Sequence, residues 1–102
     1  MRKQTETHLD WKAIEALGIK RLTNDSRAVR PGDTFVAYPG ESRDGRDYIA
    51  QAIANGAANV LWERAGFEWN PRWRVPNLGL RELRRHAGAL RDAAAHGTGE
   101  GV

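Results

Sequence analysis

Apolar positions along this chain recur at two spacings, one helical and one extended. Trp11, Ile14 and Leu17 share one helical face, Asp10 stands where a cap belongs and Gly18 where a helix stops, so a helix is expected over residues 10–17. A short strand follows at about 20–24, with Leu22 as its apolar residue. Thr34-Phe35-Val36-Ala37-Tyr38 is a β-rich run ended by Pro39-Gly40. Before it, Pro31-Gly32 fits the central pair of a type II turn, in which proline presets φ and glycine accepts a positive one. Tyr48, Ile49, Ala52 and Ile53 form the apolar face of a helix over 48–55, capped by Asp47 and ended by Gly56, and Asn59-Val60-Leu61-Trp62 reads as a buried strand. Strand, helix and strand at this spacing make a βαβ unit, which implies a parallel pair and an α/β fold.

Beyond Trp62 the pattern weakens. Residues 64–74 hold Trp69, Pro71 and Trp73 without period, and Arg74-Val75-Pro76 is a short extended piece. The clearest stripe is the last one: Leu80, Leu83, Ala87, Leu90 and Ala94 predict a helix over about 78–95. Arg81, Arg84, Arg85 and Arg91 lie off that stripe. His86 falls on the arginine side and reads as a surface histidine. His96-Gly97-Thr98-Gly99-Glu100-Gly101 reads as linker. The expected organisation is one domain over 1–96 and a linker over 97–102.

Composition narrows the chemistry. One hundred and two residues fit one small domain, and 40% hydrophobic with 28% charged residues is ordinary for a globular protein. The chain has no cysteine, which excludes disulfides and cysteine-based metal sites. No apolar run approaches the roughly 20 residues of a membrane span. No signal-peptide core follows the charged start, so a cytoplasmic location is expected. The net charge of +3 admits nucleic acid as a partner, but the basic residues are scattered among acidic ones and no basic tract interleaves with aromatics.

Catalytic strings are missing. There is no G-x-x-x-x-G-K-[ST] loop and no lysine after Lys20, and His8, His86 and His96 do not stand at zinc-ligand spacing. Two segments remain. Asp25-Ser26-Arg27 sits where a strand ends, and a serine hydroxyl there both donates and accepts, as a pyrimidine or ribose requires; the commoner use of such residues is to satisfy turn backbone. In residues 40–47, Arg43 and Arg46 can pair with phosphate oxygens and Ser42 can add a hydrogen bond. Glu41, Asp44 and Asp47 largely neutralise that loop, so a solvated charged loop is the alternative. The two segments end adjacent strands, and periodicity does not say whether they meet.

The ordered strings Thr23-Asn24-Asp25-Ser26-Arg27, Arg30-Pro31-Gly32-Asp33-Thr34-Phe35-Val36-Ala37, Gly40, Asp44-Gly45-Arg46-Asp47-Tyr48-Ile49, Gln51-Ala52-Ile53 and Gly56-Ala57-Ala58 resemble the N-terminal domain of MurE-type Mur ligases. The likeness is dense over about 20–63 and looser through Val75-Pro76-Asn77 and the last helix. MurF ligases carry a related domain, with histidine more typical at the place of Arg46, which favours MurE.

The resemblance implies a small domain whose mixed sheet contains the βαβ unit and is flanked by helices. It implies binding of the uridine-diphosphate end of UDP-N-acetylmuramoyl-L-alanyl-D-glutamate, for an ATP-dependent amide ligase that adds the third peptide residue in peptidoglycan synthesis. Carried over by position, Asn24 and Ser26 contact the uridine part, and Glu41, Ser42 and Arg43 line the loop around the uridine diphosphate. The parent uses ATP and Mg2+ to form an acyl phosphate that an amine attacks. In that family a phosphate loop follows this domain, so the chain is expected to be a monomeric fragment with no catalytic residue, metal or cofactor of its own, inactive alone, and partnered by neither nucleic acid nor membrane. The alternatives are the equivalent MurF domain, a basic nucleic-acid-binding domain, and an interaction domain without a small-molecule ligand.

Overall fold

The structure, a computed structural model, describes residues 10–99, with side chains described as far as Arg91. Helix α1 (Trp11–Ala16) leads to strand β1 (Leu22–Thr23), a 3-10 turn (Ser26–Ala28) and β2 (Thr34–Ala37). A second 3-10 turn (Gly45–Tyr48) runs into α2 (Ile49–Ala54), then β3 (Asn59–Glu63), β4 (Asn77–Leu80) and α3 (Leu83–Gly99). Asp10 caps α1 as expected, its carboxylate accepting from the Ala13 N–H at 3.1 Å. Gly32 sits at φ 95° in the turn before β2, as the Pro31-Gly32 pair requires.

The strands form one sheet in the order β1-β2-β3-β4. The βαβ unit is present, but each described pairing is parallel, so the sheet is not mixed. The reason lies in the crossovers. Every step goes to the next strand on the same side, and crossovers of one hand then all lie over one face. Val29 from the first, Ile49 and Ala52 of α2 from the second, and Phe67, Trp69, Trp73 and Val75 from the third join Phe35, Ala37 and Val60 in one cluster. The opposite face is left to the terminal helices: Ile14 of α1 and Leu83 and Leu90 of α3 pack on Val36, Leu61 and Leu80. Alternation along β2 and β3 thus feeds two cores, and a sheet covered on both faces has strands buried throughout, as all four residues of β2 are.

The start of the last helix and the surface reading of His86 need correcting here. Residues 77–80 are a strand, and α3 begins at Leu83 instead of about 78. Leu80 belongs to the same apolar cluster as Leu83, which made the helical stripe look longer than the helix. Glu82 turns the chain at φ 54°, and the Glu63 carboxylate accepts from the Leu83 N–H at 2.8 Å to seat the helix start. The unpatterned residues 64–74 carry the third crossover. Trp69 stacks on Trp62 at 5.5 Å, and Trp73 meets Trp69 edge-on at 5.1 Å. Nor is His86 a plain surface side chain: it is half-buried, and its Nε2 is buried with no hydrogen-bond partner among the described residues. At the chain end, the α3 backbone reaches Gly99, inside the segment read as linker; residues 100–102 and the side chain of Ala94 lie outside what is described. No helix among the described residues is long and apolar enough to cross a membrane.

Candidate functional site

Parallel pairing of β1 with β2, in the register Leu22 opposite Thr34 and Thr23 opposite Phe35, brings both strands out on the same edge of the sheet. The segments that follow them therefore adjoin. Between them lies an open hollow of about 260 Å³ lined by Asn24, Asp25, Ser26 and Arg27 from the first and Tyr38, Gly40, Arg43, Gly45 and Tyr48 from the second, with Gln51 of α2. Hollows at the carboxyl ends of parallel strands are the usual ligand sites of α/β sheets.

The β1 side is built by a local turn. The Asp25 carboxylate accepts from the Arg27 N–H at 2.9 Å and so starts the 3-10 turn. The Arg27 guanidinium reaches the same carboxylate at 3.2 Å, and hydrogen bonds from Arg27 hold the Asp25 carboxyl below the ordinary range. Ser26 is buried. Its hydroxyl donates to Gln51 Oε1, and its carbonyl accepts from Asn55 Nδ2 at 2.9 Å. Asn24 donates to the Tyr38 hydroxyl at 3.1 Å, joining the two sides of the hollow.

The β2 side is a tight reversal. The Gly40 N–H donates to the Arg43 carbonyl at 2.7 Å, the Gly45 N–H to the Tyr38 carbonyl at 2.9 Å, and Pro39 bridges Asp44. Arg43 is exposed and lines the hollow, and among the described residues no carboxylate pairs with it. Glu41 and Ser42 ride on the same loop but do not line the hollow; Glu41 lies 3.4 Å from Arg84 of α3.

Arg46 and Asp47 serve other ends than expected. Arg46 is 8% exposed and spends its guanidinium within the fold. It grips Asp44 at 2.9 and 2.8 Å, donates to the carbonyls of Glu63 and Ala65 at 2.8 and 2.7 Å, and covers the Phe67 ring at 4.9 Å. Hydrogen bonding to Arg46 holds the Asp44 carboxyl below its ordinary range against the effect of burial. Asp44, not Asp47, takes the capping place, accepting from the Arg46 N–H at 3.0 Å, and α2 starts at Ile49 behind Tyr48, which makes no side-chain cap hydrogen bond. Sequence reasoning singled out Asn24, Ser26 and Arg43, which the fold brings together, and missed Tyr38, Tyr48 and Gln51. Tyr38 falls in a β-rich run, Tyr48 on the apolar face of a helix and Gln51 within a family string; no local signal separates them from core or surface positions.

Residues 18–96 match the family model described as "Mur ligase family, catalytic domain". The chain belongs to the Mur ligase family. Among sequence relatives, the UDP-N-acetylmuramoyl-L-alanyl-D-glutamate--2,6-diaminopimelate ligase of Neisseria meningitidis is 56% identical over 70 residues, 68% of this chain and 14% of that one. The ligase of the same name from Chromobacterium violaceum is 49% identical over 92 residues, 85% of this chain and 18% of that one. Among solved Mur ligase structures, the MurF ligase from Thermotoga maritima in complex with ADP gives a TM-score of 0.56 at 30% identity over 72% of this chain and 16% of its own. MurF from Acinetobacter baumannii gives 0.59 at 33% identity, over 71% and 15%. The chain thus spans about a sixth of the Mur ligases it matches.

Proposed function

We propose that these residues form the uridine-nucleotide-binding module of a MurE-type Mur ligase, holding the uridine-diphosphate end of UDP-N-acetylmuramoyl-L-alanyl-D-glutamate. The observation that carries this reading is the hollow itself, which joins a buried hydroxyl, two tyrosine rings and the Arg43 guanidinium within one open volume. Rings suit a base, hydroxyl and amide groups suit its polar edge, and an arginine that no carboxylate pairs with among the described residues suits phosphate oxygens. Asn24 and Ser26 take the uridine part, and Arg43, with the loop residues Glu41 and Ser42, takes the side toward the diphosphate.

The contribution to the reaction is positional. Holding the remote nucleotide lets its binding energy orient the reacting carboxylate elsewhere in the parent enzyme. The 102 residues contain no phosphate-loop string. The family resemblance implies that ATP and Mg2+ serve the parent enzyme, and this chain by itself is expected to show neither ligase nor ATPase activity. The names of the sequence relatives favour diaminopimelate as the amino acid the parent adds, and their higher identity favours MurE over MurF.

Titration of the chain with uridine diphosphate, followed by amide NMR shifts, tests the reading. Shifts gathering at Asn24, Ser26 and Glu41, Ser42 and Arg43, with a Kd near 1 mM (about −4 kcal/mol), are expected for an open hollow. Shifts gathering instead on Arg81, Arg84, Arg85 and Arg91, produced as readily by a short oligonucleotide, overturn it in favour of a basic nucleic-acid surface.

A further inference from the structure

We propose that Asn55-Gly56, at the carboxyl end of α2, is a site of spontaneous modification, at which the asparagine becomes aspartate or isoaspartate. The folded chain restrains the reaction, and its product frees the turn that carries Ser26. Apart from one water molecule, every reacting atom lies in the dipeptide.

The chemistry is a ring closure. The Gly56 main-chain nitrogen gives up its proton and attacks the Asn55 side-chain carbonyl carbon. The bond from that carbon to Nδ2 breaks, and the nitrogen leaves as ammonia, taking up a proton. Water then opens the five-membered imide on either side. One opening gives aspartate; the other routes the main chain through the side chain and gives isoaspartate. Glycine leaves its nitrogen open to this attack because no side chain stands beside it. The chain's other asparagines, Asn24, Asn59, Asn70 and Asn77, are followed by Asp25, Val60, Pro71 and Leu78. Each of those brings a side chain against the nitrogen, and Pro71 has no N–H at all. The fold holds on to the labile pair nonetheless. Gly56 lies at φ 110°, where an added Cβ would stand 2.8 Å from the Pro31 Cα, and Asn55 Nδ2 donates to the Ser26 carbonyl at 2.9 Å.

In the folded chain both reacting groups are tied. The Gly56 N–H donates to the Ile53 carbonyl at 3.0 Å, while the Asn55 carboxamide is drawn toward Ser26. The backbone is held on either side: the Asn55 N–H donates to the Gln51 carbonyl at 3.0 Å, and the Gly56 carbonyl accepts from the Gly32 N–H at 3.0 Å. These bonds close an exposed helix end, where local opening costs less than global unfolding. The reaction is therefore slowed and not forbidden. Its product no longer fits. An ionised aspartate offers acceptors only, so it faces the Ser26 carbonyl acceptor to acceptor. Isoaspartate also adds one main-chain methylene between α2 and Gly56. The Ser26–Ala28 turn then loses its main-chain anchor on α2.

The full chain, held at mildly alkaline pH both native and in urea, is followed over time by peptide mass spectrometry. In urea Asn55 is expected to convert ahead of Asn24, Asn59 and Asn77. In the native chain it is expected to convert about tenfold more slowly, which corresponds to about 1.4 kcal/mol of local opening. Asn55→Gln, whose extra methylene would make the ring six-membered, is expected to abolish the early conversion in urea, where folding plays no part. Conversion of Asn55 in urea no faster than at the other asparagines overturns the site, and equal rates in urea and in the native chain overturn the restraint. Release of the turn is read from amide exchange at Ala28, whose N–H donates to the Asp25 carbonyl at 2.9 Å. Exchange there is expected to be several-fold faster in the converted chain, separated from the unconverted by anion exchange, and in Asn55→Asp. Unchanged exchange at Ala28 in the converted chain overturns the release of the turn, whether or not Asn55→Asp folds.

Discussion

The Arg46 guanidinium stands 2.8 Å from the main-chain carbonyl of Glu63, across the sheet edge from the loop that carries it. Through that contact the loop after β2 is fastened to the end of β3, and Glu63 in turn seats the first N–H of α3. Arg46→Ala leaves the carbonyls of Glu63 and Ala65 and the Asp44 carboxylate short of a donor. A loss of roughly 3 kcal/mol in unfolding free energy is expected in urea titrations. Arg46→Lys recovers little of it, because a point ammonium cannot span a carboxylate and two carbonyls at once. A neutral result in both variants rules out the fastening role.

Ser26→Ala removes the hydroxyl that faces the hollow and frees Gln51 to turn. Uridine diphosphate binding is expected to weaken by about 1 kcal/mol, read as a change of Kd in the NMR titration. Unaltered affinity places the ligand elsewhere.

Arg43→Ala separates the two halves of the ligand. Its guanidinium matches phosphate oxygens and has no counterpart on a bare nucleoside, so the variant should lose several-fold in affinity for uridine diphosphate and almost nothing for uridine. Equal losses for both ligands remove the diphosphate assignment.

Acid should loosen the entrance to β2. Asp33 is buried and takes hydrogen bonds from Arg21 at 2.9 and 2.5 Å and from the Arg30 N–H at 2.8 Å. Hydrogen bonding from Arg21 leads in holding its carboxyl below the ordinary range, and burial opposes it. A depressed carboxyl favours the folded state above its unfolded value of about 4 and loses that contribution as pH falls through the lower folded value. Thermal unfolding midpoints are therefore expected to be flat above about pH 5 and to fall below about pH 4. Asp33→Asn should cost most at neutral pH and flatten the acid slope. An identical slope in the variant rejects Asp33 as a source of the acid sensitivity.

Gly56 cannot be replaced without moving the turn before β2. Its φ is 110°, and an added Cβ would stand 2.8 Å from the Pro31 Cα. Gly56→Ala should cost roughly 3 kcal/mol, strain and crowding together. Gly18→Ala is the control, with φ 67° but open space around it, and should cost about 1 kcal/mol. Equal costs at the two positions would show that backbone conformation alone matters.

Features set by near neighbours were legible in the chain. The helix capped by Asp10, the turn at Pro31-Gly32, the strands around Phe35 and Leu61 and the βαβ unit between them follow from spacing and turn chemistry, each acting within a few residues. The ordered strings around Asp25 and Asp44 identified the family for the same reason, since a string needs no fold to be read. Ser26 and Arg43 could be named as candidates, because residue type and position at a strand end are local facts, and Asn24 came with the family strings.

Pairing and partners were decided only in three dimensions. Leu80 fits a helical stripe by spacing, yet pairing with Glu63 makes it strand, because ladder partners come from a distant part of the chain. Arg46 has the chemistry to hold phosphate, and its burial against Asp44 and the Glu63 carbonyl assigns it to the fold instead. Trp69 and Trp73 have no period because they fill a crossover whose shape is set by Trp62 beneath them. The meeting of Ser26 with Gln51, twenty-five residues apart, depends on α2 crossing over β2. A hydrophobic period fixes which face is buried, and only chain topology fixes what that face is buried against.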